Sequence, residues 1–202
     1  MCDDNHLITD INLQDKYKET LSKISLQGQR VNIRNLKAED YPAFEVLFTD
    51  EKTLYYYLPS GLKTYSGTAL EELMSDWNDL DTAFVFTVLH KQKPIGVITC
   101  ESLDFEMRHA EVGIALLSPA VRGQGLAAEA MTIFIDFLFR DLRLHRINAR
   151  IISGNLDSFK LFERLGFRLE GRQREYVVRG SEYLDMNIFG LLAKDWLQKD
   201  SK

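Results

Sequence analysis

The sequence predicts an α+β, or mixed α/β, fold built on one central sheet. Two observations carry that prediction. Between residues 83 and 117, three apolar segments, AFVFTVLH, IGVITCESL and AEVGIALL, are interrupted only by short breaks at KQKP and near DFEMRH, a pattern suited to antiparallel neighbours. After them, LAAEAMTIFIDFLFR and LDSFKLFERLGF repeat apolar residues at helical spacing and enclose the strand-like HRINARII, so helices and strands share the second half.

Each remaining element follows from local pattern. INLQDKYKETLSKISL places Ile11, Leu13, Tyr17, Leu21 and Ile24 at roughly helical intervals, so residues 1–28 are expected to be a helical appendage to a domain spanning 29–198. RVNIRNL alternates apolar and polar residues as a half-buried strand does. LKAEDYPAFEVLF then offers a helix with acidic residues at its start and Pro42 in its first turn, where proline is tolerated. YYYLPSGLKTYSG reads as a loop by its Pro and Gly, and TALEELMSDWNDL as a second helix through Leu70, Leu73, Met74 and Trp77. The third strand of the central group ends at Ser118 and Pro119, SPAVRGQG forms a turn, and Gly166 caps the last long helix. RLEGRQREYVV and EYLDMNIFGLL close the fold as a strand pair turning at Arg179 and Gly180. The resulting order is β α α β β β α β α β β.

Composition narrows the function classes. The 202 residues suit one domain, alone or with a short appendage. No uninterrupted apolar stretch reaches bilayer length, and the start MCDDNH is acidic where a signal peptide would be basic and then apolar. A soluble, cytoplasmic protein without membrane contact is expected. Cys2 and Cys100 provide neither a disulfide framework nor metal-ligand spacing, so no metal is expected. The net charge of −5 lies wholly in residues 1–100, with 15 acidic against 10 basic residues, the wrong sign for a nucleic-acid surface. Residues 140–179 hold ten Lys or Arg against five Asp or Glu. That excess suits a polyanionic ligand, and it equally suits a solvated basic face.

The chemistry-bearing motif is Arg122-Gly123-Gln124-Gly125-Leu126-Ala127, between a strand and a helix. Unpaired N–H groups and the positive end of the helix dipole make such a junction an anion site. Gly123 and Gly125 let backbone approach a phosphate, small Ala127 and Ala128 keep the first turn open, and Arg122 adds charge at the rim. Two glycines before a helix also serve ordinary tight connections, so the turn alone does not decide.

These residues resemble the RxxGxA acetyl-CoA signature of the GNAT N-acetyltransferase superfamily, preceded here by AEVGIALLSP and followed by NLDSFKLFERLGF. The similarity spans about residues 30–195 in element order. Within the superfamily the chain is similar to the RimJ/RimL-type and spermidine N-acetyltransferase branch, which shares EVGIALLSP-like and LEG-like stretches. The resemblance implies a GNAT fold, a twisted, mixed and mostly antiparallel sheet of six to seven strands flanked by helices. It implies acetyl transfer from acetyl-CoA to a primary amine, whether a protein N-terminal amine, a polyamine or another small cationic amine, by direct transfer in a ternary complex. A homodimer is compatible with it.

The resemblance also assigns residues. It implies that the strand from Glu111 to Leu117 splays from its neighbour and frees backbone groups near Leu116 and Leu117 for the pantetheine arm and the thioester carbonyl, where N–H donors would stabilise a developing oxyanion. Gly123, Gln124, Gly125, Leu126 and Ala127, with Arg122, would hold the pyrophosphate. Asn155 matches the asparagine that bonds the pantetheine arm, and Ser158 stands one helical turn later, although both are also helix-cap chemistry. Phe162 occupies the position where many relatives carry a tyrosine acid. A thiol with a pKa of about 8.5 leaves tolerably without one, and Ser158 is the alternative proton donor toward the thiolate. Glu111 and Glu175 are the candidate bases for the acceptor amine, each with a surface ion pair as its alternative role. His109 and His145 carry side chains suited to acid–base chemistry but start strands without an evident partner carboxylate. Tyr55, Tyr56 and Tyr57 are expected either to line the acceptor pocket or to pack structurally. The departure at Phe162 motivates a second reading, a catalytically weak acyl-CoA-binding regulatory module; a nucleotide-binding protein that does not take CoA is a third.

Overall fold

In the computed structural model, residues 15–58 and 63–198 are described. Cys2, Ile11, Leu13 and the 59–62 part of the expected loop lie outside the described residues. Residues 15–22 form a helix (α1), and the ordered elements that follow are β1 (Ser25–Gln27), β2 (Val31–Asn35), α2 (Tyr41–Phe48), α3 (Glu51–Tyr57) and α4 (Thr68–Trp77). Then come β3 (Phe84–His90), β4 (Lys93–Asp104), β5 (His109–Leu116), α5 (Leu126–Arg140), β6 (Arg146–Ile152), α6 (Leu156–Leu165), β7 (Arg168–Arg179), β8 (Glu182–Leu192) and α7 (Ala193–Leu197).

The expected order survives as the spine, with β1, α3 and α7 added to it and eight strands in one sheet. β1 has three residues, too few to show a period. Its pairing with β2, and the burial of Leu21 and Ile24 in the main core, carry the sheet into the segment expected to be an appendage. α3 replaces part of the expected loop. Its seven residues bury only Leu54, and three successive tyrosines are poor helix formers, so local pattern hides it. Asp50 starts α3 by accepting the Lys52 N–H at 3.3 Å and the Thr53 hydroxyl at 2.5 Å.

The strands lie in the order β1-β2-β3-β4-β5-β6-β8-β7, and every neighbouring pair is antiparallel except β5 and β6. A core on one face packs α5 and α6 against alternate strand residues such as Phe86, Ile98, Cys100 and Ile147. The other face holds α2, α3 and α4 against Val85, Val97, Ala115 and Leu117. Burial pushes the Cys100 thiol up to about 12, which makes it an inert core residue. Among the described residues, no helix is long and apolar enough to cross a membrane.

The start of α2 is fixed by a buried charge centre. Asp40 is 1% exposed and receives both Arg34 guanidinium nitrogens, at 2.7 and 2.8 Å. It also accepts the buried Thr87 hydroxyl at 2.7 Å and the Lys37 N–H at 3.0 Å. Burial by itself would raise this carboxyl, but the bonds from Arg34, Thr87 and Lys37 outweigh it and hold it below the usual carboxylate range.

Candidate active site

The parallel pair β5 and β6 stays joined only from His109 to Glu111, opposite Arg146 to Asn148. Past Glu111 the strands separate, because β5 keeps its register with β4 as far as Leu116 while β6 keeps its register with β8 as far as Ile152. The expected splay is therefore present, and a cavity of about 210 Å³ occupies it. Its lining brings together Asn155, Ser158 and Phe162 from α6 and its cap with Tyr56, Tyr57 and Trp77 from α3 and α4. A split in the sheet is what lets groups approaching from its two faces meet at one point.

The strand edge needs one adjustment. The Leu117 N–H donates to Ile95 O at 2.9 Å, so it is committed to β4. Since successive N–H groups in a strand point to opposite sides, the Leu116 N–H faces away from β4 and toward the split. Of the two expected backbone donors, Leu116 has the open one.

Gly123 and Gly125 adopt left-handed φ values of 71° and 76°, which is why glycine stands at both places. Gly125 ends in the N-cap position of α5 with no side chain capping the helix, so the first amides, from Leu126 on, remain available to an anion. A β-carbon at Gly123 would meet nothing, whereas one at Gly125 would stand 3.3 Å from Arg30 Nη2. The turn is braced from behind. Gln124 donates to Ala120 O at 2.8 Å, Arg30 donates to Gln124 O at 2.9 Å, and Glu129 draws Arg30 Nε to 2.8 Å, turning its own charge away from the helix start. The Arg122 guanidinium donates to Thr53 Oγ1 at 3.0 Å, linking the turn to α3. This cradle of open amides with an arginine rim fits a pyrophosphate.

At α6 the cap chemistry is realised: Asn155 Oδ1 accepts the Ser158 N–H at 3.2 Å, leaving the amide nitrogen of Asn155 for a ligand. Phe162 is 2% exposed and packs edge-on to Phe167 at 5.0 Å, forming an apolar wall of the cavity.

The cavity floor carries two carboxylates. Glu111 and Glu101 stand directly opposite each other on β5 and β4, with Thr99 and Gly113 as the next pair on the same face. Glu111 Oε1 accepts Arg150 Nε at 2.8 Å. Glu101 has no salt bridge among the described residues; burial pushes its carboxyl up and nearby Glu111 adds to that, against the pull of Thr99 and Arg150. Gly113 is needed by close approach, since a β-carbon there would lie 2.8 Å from Thr99 Oγ1.

The roof is Tyr57, packed edge-on against Trp77 at 6.2 Å. Its hydroxyl is buried and makes no well-formed hydrogen bond among the described residues; burial first and Glu101 second raise its pKa, against a weaker pull from the nearby Thr99 side chain. Arg179, 4% exposed, holds the roof in place by donating to the last carbonyls of α3: Nε to Tyr55 O at 2.7 Å, and Nη2 to Leu58 O. Tyr55, Tyr56 and Tyr57 thus belong to a helix end tied to β7.

Two expectations end elsewhere. Glu175 sits on a bulge of β7 with φ 51°, its N–H bonded to Asp185 at 2.9 Å, in a separate shallow hollow with Arg174 and Asp185. It does not join Glu111, because the bulge re-aims that stretch of the strand. The basic excess of residues 140–179 is largely spent internally: Arg146 pairs with Glu170, Arg150 with Glu111, Arg168 with Asp195 and Arg172 with Asp185. Glu101, Thr99 and Arg150 line the cavity and Arg179 braces its roof, and local pattern missed all four. The only signal for Glu101 is the register of the hairpin joining β4 and β5, and that is obscured by the irregularity between Glu101 and Asp104.

Comparison with known proteins gives a consistent picture. Residues 30–168 match the model of the acetyltransferase (GNAT) domain. The chain is 27% identical over 175 residues to the N-acetyltransferase p20 of Bacillus licheniformis, covering 85% of this chain and 98% of that one. It is 26% identical to the [ribosomal protein uS5]-alanine N-acetyltransferase of Escherichia coli over 195 residues, 89% and 96% of the two chains. In fold it is similar to spermidine N-acetyltransferase from Vibrio cholerae, solved with CoA and spermine, at a TM-score of 0.75 and 24% identity over 84% of this chain and 99% of that one.

Proposed function

Since the chain belongs to the GNAT acetyltransferase family and is an N-acetyltransferase, we propose that it moves acetyl from acetyl-CoA to a primary, cationic amine by direct transfer in a ternary complex. The observation that carries this reading is the split between β5 and β6, whose cavity is lined by Asn155, Ser158 and Phe162 together with Glu101 and Glu111.

The turn amides from Gly123 to Ala127, with Arg122 at the rim, hold the pyrophosphate; the amide nitrogen of Asn155 and the Leu116 backbone orient the pantetheine arm. Phe162 keeps the thioester end dry, and the Ser158 hydroxyl in the first turn of α6 is the proton donor toward the departing sulfur. On the acceptor side, the carboxylates attract an ammonium group under the aromatic roof. A protein N-terminal amine and a polyamine both meet that requirement, in keeping with the names of the relatives from Escherichia coli and Vibrio cholerae.

The test is thiol release from acetyl-CoA with a panel of peptide N-termini, polyamines and simple alkylamines. Turnover with at least one amine, saturable in both substrates, is expected. Tight acetyl-CoA binding with no amine raising thiol release above background would overturn the proposal in favour of an acyl-CoA-binding module.

A further inference from the structure

We propose that Glu101, and not its cross-strand partner Glu111, is the carboxylate that takes the proton from the acceptor ammonium. The inference rests on the acetyl-transfer reading above and assigns a role inside that same cavity.

The two candidates differ in what already holds them. Glu111 is engaged by Arg150 at 2.8 Å, and Arg150 Nη1 in turn reaches the Tyr176 hydroxyl at 3.3 Å. Protonating Glu111 would weaken this pair and leave the Arg150 guanidinium at the cavity without its counter-charge. Glu101 has no such commitment. The groups that face it are Thr99 on its own strand, Glu111 on β5, Arg150 on β6 and the Tyr57 hydroxyl from α3. Only one of these is cationic, and it is spent on Glu111. An ammonium group entering the cavity therefore supplies the charge that the floor lacks, and the buried Tyr57 hydroxyl, which makes no well-formed hydrogen bond among the described residues, gives one of its N–H groups an acceptor. Burial and the neighbouring carboxylate both favour the protonated form of Glu101, which suits a group that must accept a proton near neutrality.

The step balances as follows. The ammonium gives one proton to Glu101, which becomes a neutral carboxylic acid, and the freed nitrogen lone pair forms the bond to the acetyl carbon. The carbon–sulfur bond breaks with its electron pair leaving on sulfur. A second nitrogen proton ends on that sulfur, and Glu101 returns its own proton to solvent. Glu111 keeps its bond to Arg150 throughout, so the floor retains a second carboxylate that holds the acceptor.

Three variants, Glu101→Gln, Glu111→Gln and Tyr57→Phe, separate the roles when kcat and both KM values are followed against pH with the amine that turns over best. Wild-type kcat should rise with pH through one acidic inflection and then level. In Glu101→Gln, kcat should fall by about 10²–10³-fold and the inflection should vanish, with KM for acetyl-CoA unchanged. Glu111→Gln should chiefly raise KM for the amine and keep the inflection, and Tyr57→Phe should do the same more weakly. Retention of kcat and inflection by Glu101→Gln overturns the assignment, whichever way Glu111→Gln behaves. A second readout does not depend on turnover: in protein carrying ¹³C-labelled glutamate, the carboxyl signal missing from Glu101→Gln should titrate above the other glutamates and shift when propylamine is added. A Glu101 signal that titrates with the others and ignores propylamine also overturns the assignment. Failure of the wild type to acetylate any amine would instead count against the functional reading, a result the titration distinguishes.

Discussion

Two carboxylate centres rest against the same sheet, one at the start of α2 and one on β4 and β5, and they are built on opposite principles. Around Asp40, one acid meets one guanidinium in a two-pronged pair, and a hydroxyl and a backbone amide fill its remaining valences. Around Glu101 and Glu111, two acids face one arginine that is bonded to Glu111, a tyrosine hydroxyl makes no well-formed hydrogen bond among the described residues, and an open cavity adjoins them. The first centre leaves nothing for a ligand to improve. The second is short of one positive charge and one hydrogen bond, which is what an entering ammonium brings. Their carboxyls accordingly move in opposite directions, Asp40 down and Glu101 up.

The contrast is broken most severely at Asp40. Asp40→Ala leaves the Arg34 charge and the Thr87 hydroxyl without their partner and should cost about 3–5 kcal/mol of stability, read as a Tm lower by roughly 10 °C. The kcat of the remaining folded protein should stay unchanged, because the centre touches nothing in the cavity. The pH sign follows from its depressed carboxyl: the stability Asp40 supplies is complete above the unfolded value of about 3.9 and is lost as pH falls through the folded one. In Asp40→Ala that acid sensitivity should shrink.

The next largest effect tests the donor end independently of both centres. Gly125→Trp forces a side chain onto a left-handed position beside Arg30 and into the approach to the turn, so acetyl-CoA affinity by calorimetry should fall at least about tenfold, or ~1.4 kcal/mol. Amine binding measured without acetyl-CoA should be unaffected.

At Glu101 the stability effect should have the reverse sign to that at Asp40. Its carboxyl is raised by folding, so its favourable contribution is present below the unfolded value of about 4.3 and disappears as pH rises through the folded one. Glu101→Gln should therefore match or exceed wild-type Tm at neutral pH, by a few degrees at most, the size produced by about 1 kcal/mol in a chain of this length. A clear loss of stability would mean that Glu101 is satisfied as Asp40 is. The smallest effect belongs to Gly113→Ala, where the new methyl would press on the Thr99 hydroxyl. A drop in kcat of several-fold, about 1 kcal/mol, with normal acetyl-CoA binding, is the expected result.

The donor side of the site was legible in the sequence because it is local. The Arg122–Ala127 turn and the Asn155–Ser158 helix start each occupy a few consecutive residues, and α5 was anticipated over 126–140, where Gly125 and a continuous apolar period mark it. The acceptor side was mostly hidden. Glu101, Glu111, Arg150 and Tyr57 come from four elements and meet only through strand register and the packing of α3, an element too short and too aromatic to announce itself. Glu175 lies in a hollow apart from Glu111 for a related reason, since a bulge changes where a strand residue points without changing its place in the sequence.

Sequence by itself determined the order of the strands and long helices, the glycine turn, and through the motif around it the family, since all of these depend on period and on neighbours close in the chain. Only the tertiary structure decided which carboxylate is left without a counter-charge. That property depends on how many cations reach a shared space, and Arg150 reaches Glu111 across the last paired residues of β5 and β6 before the sheet opens.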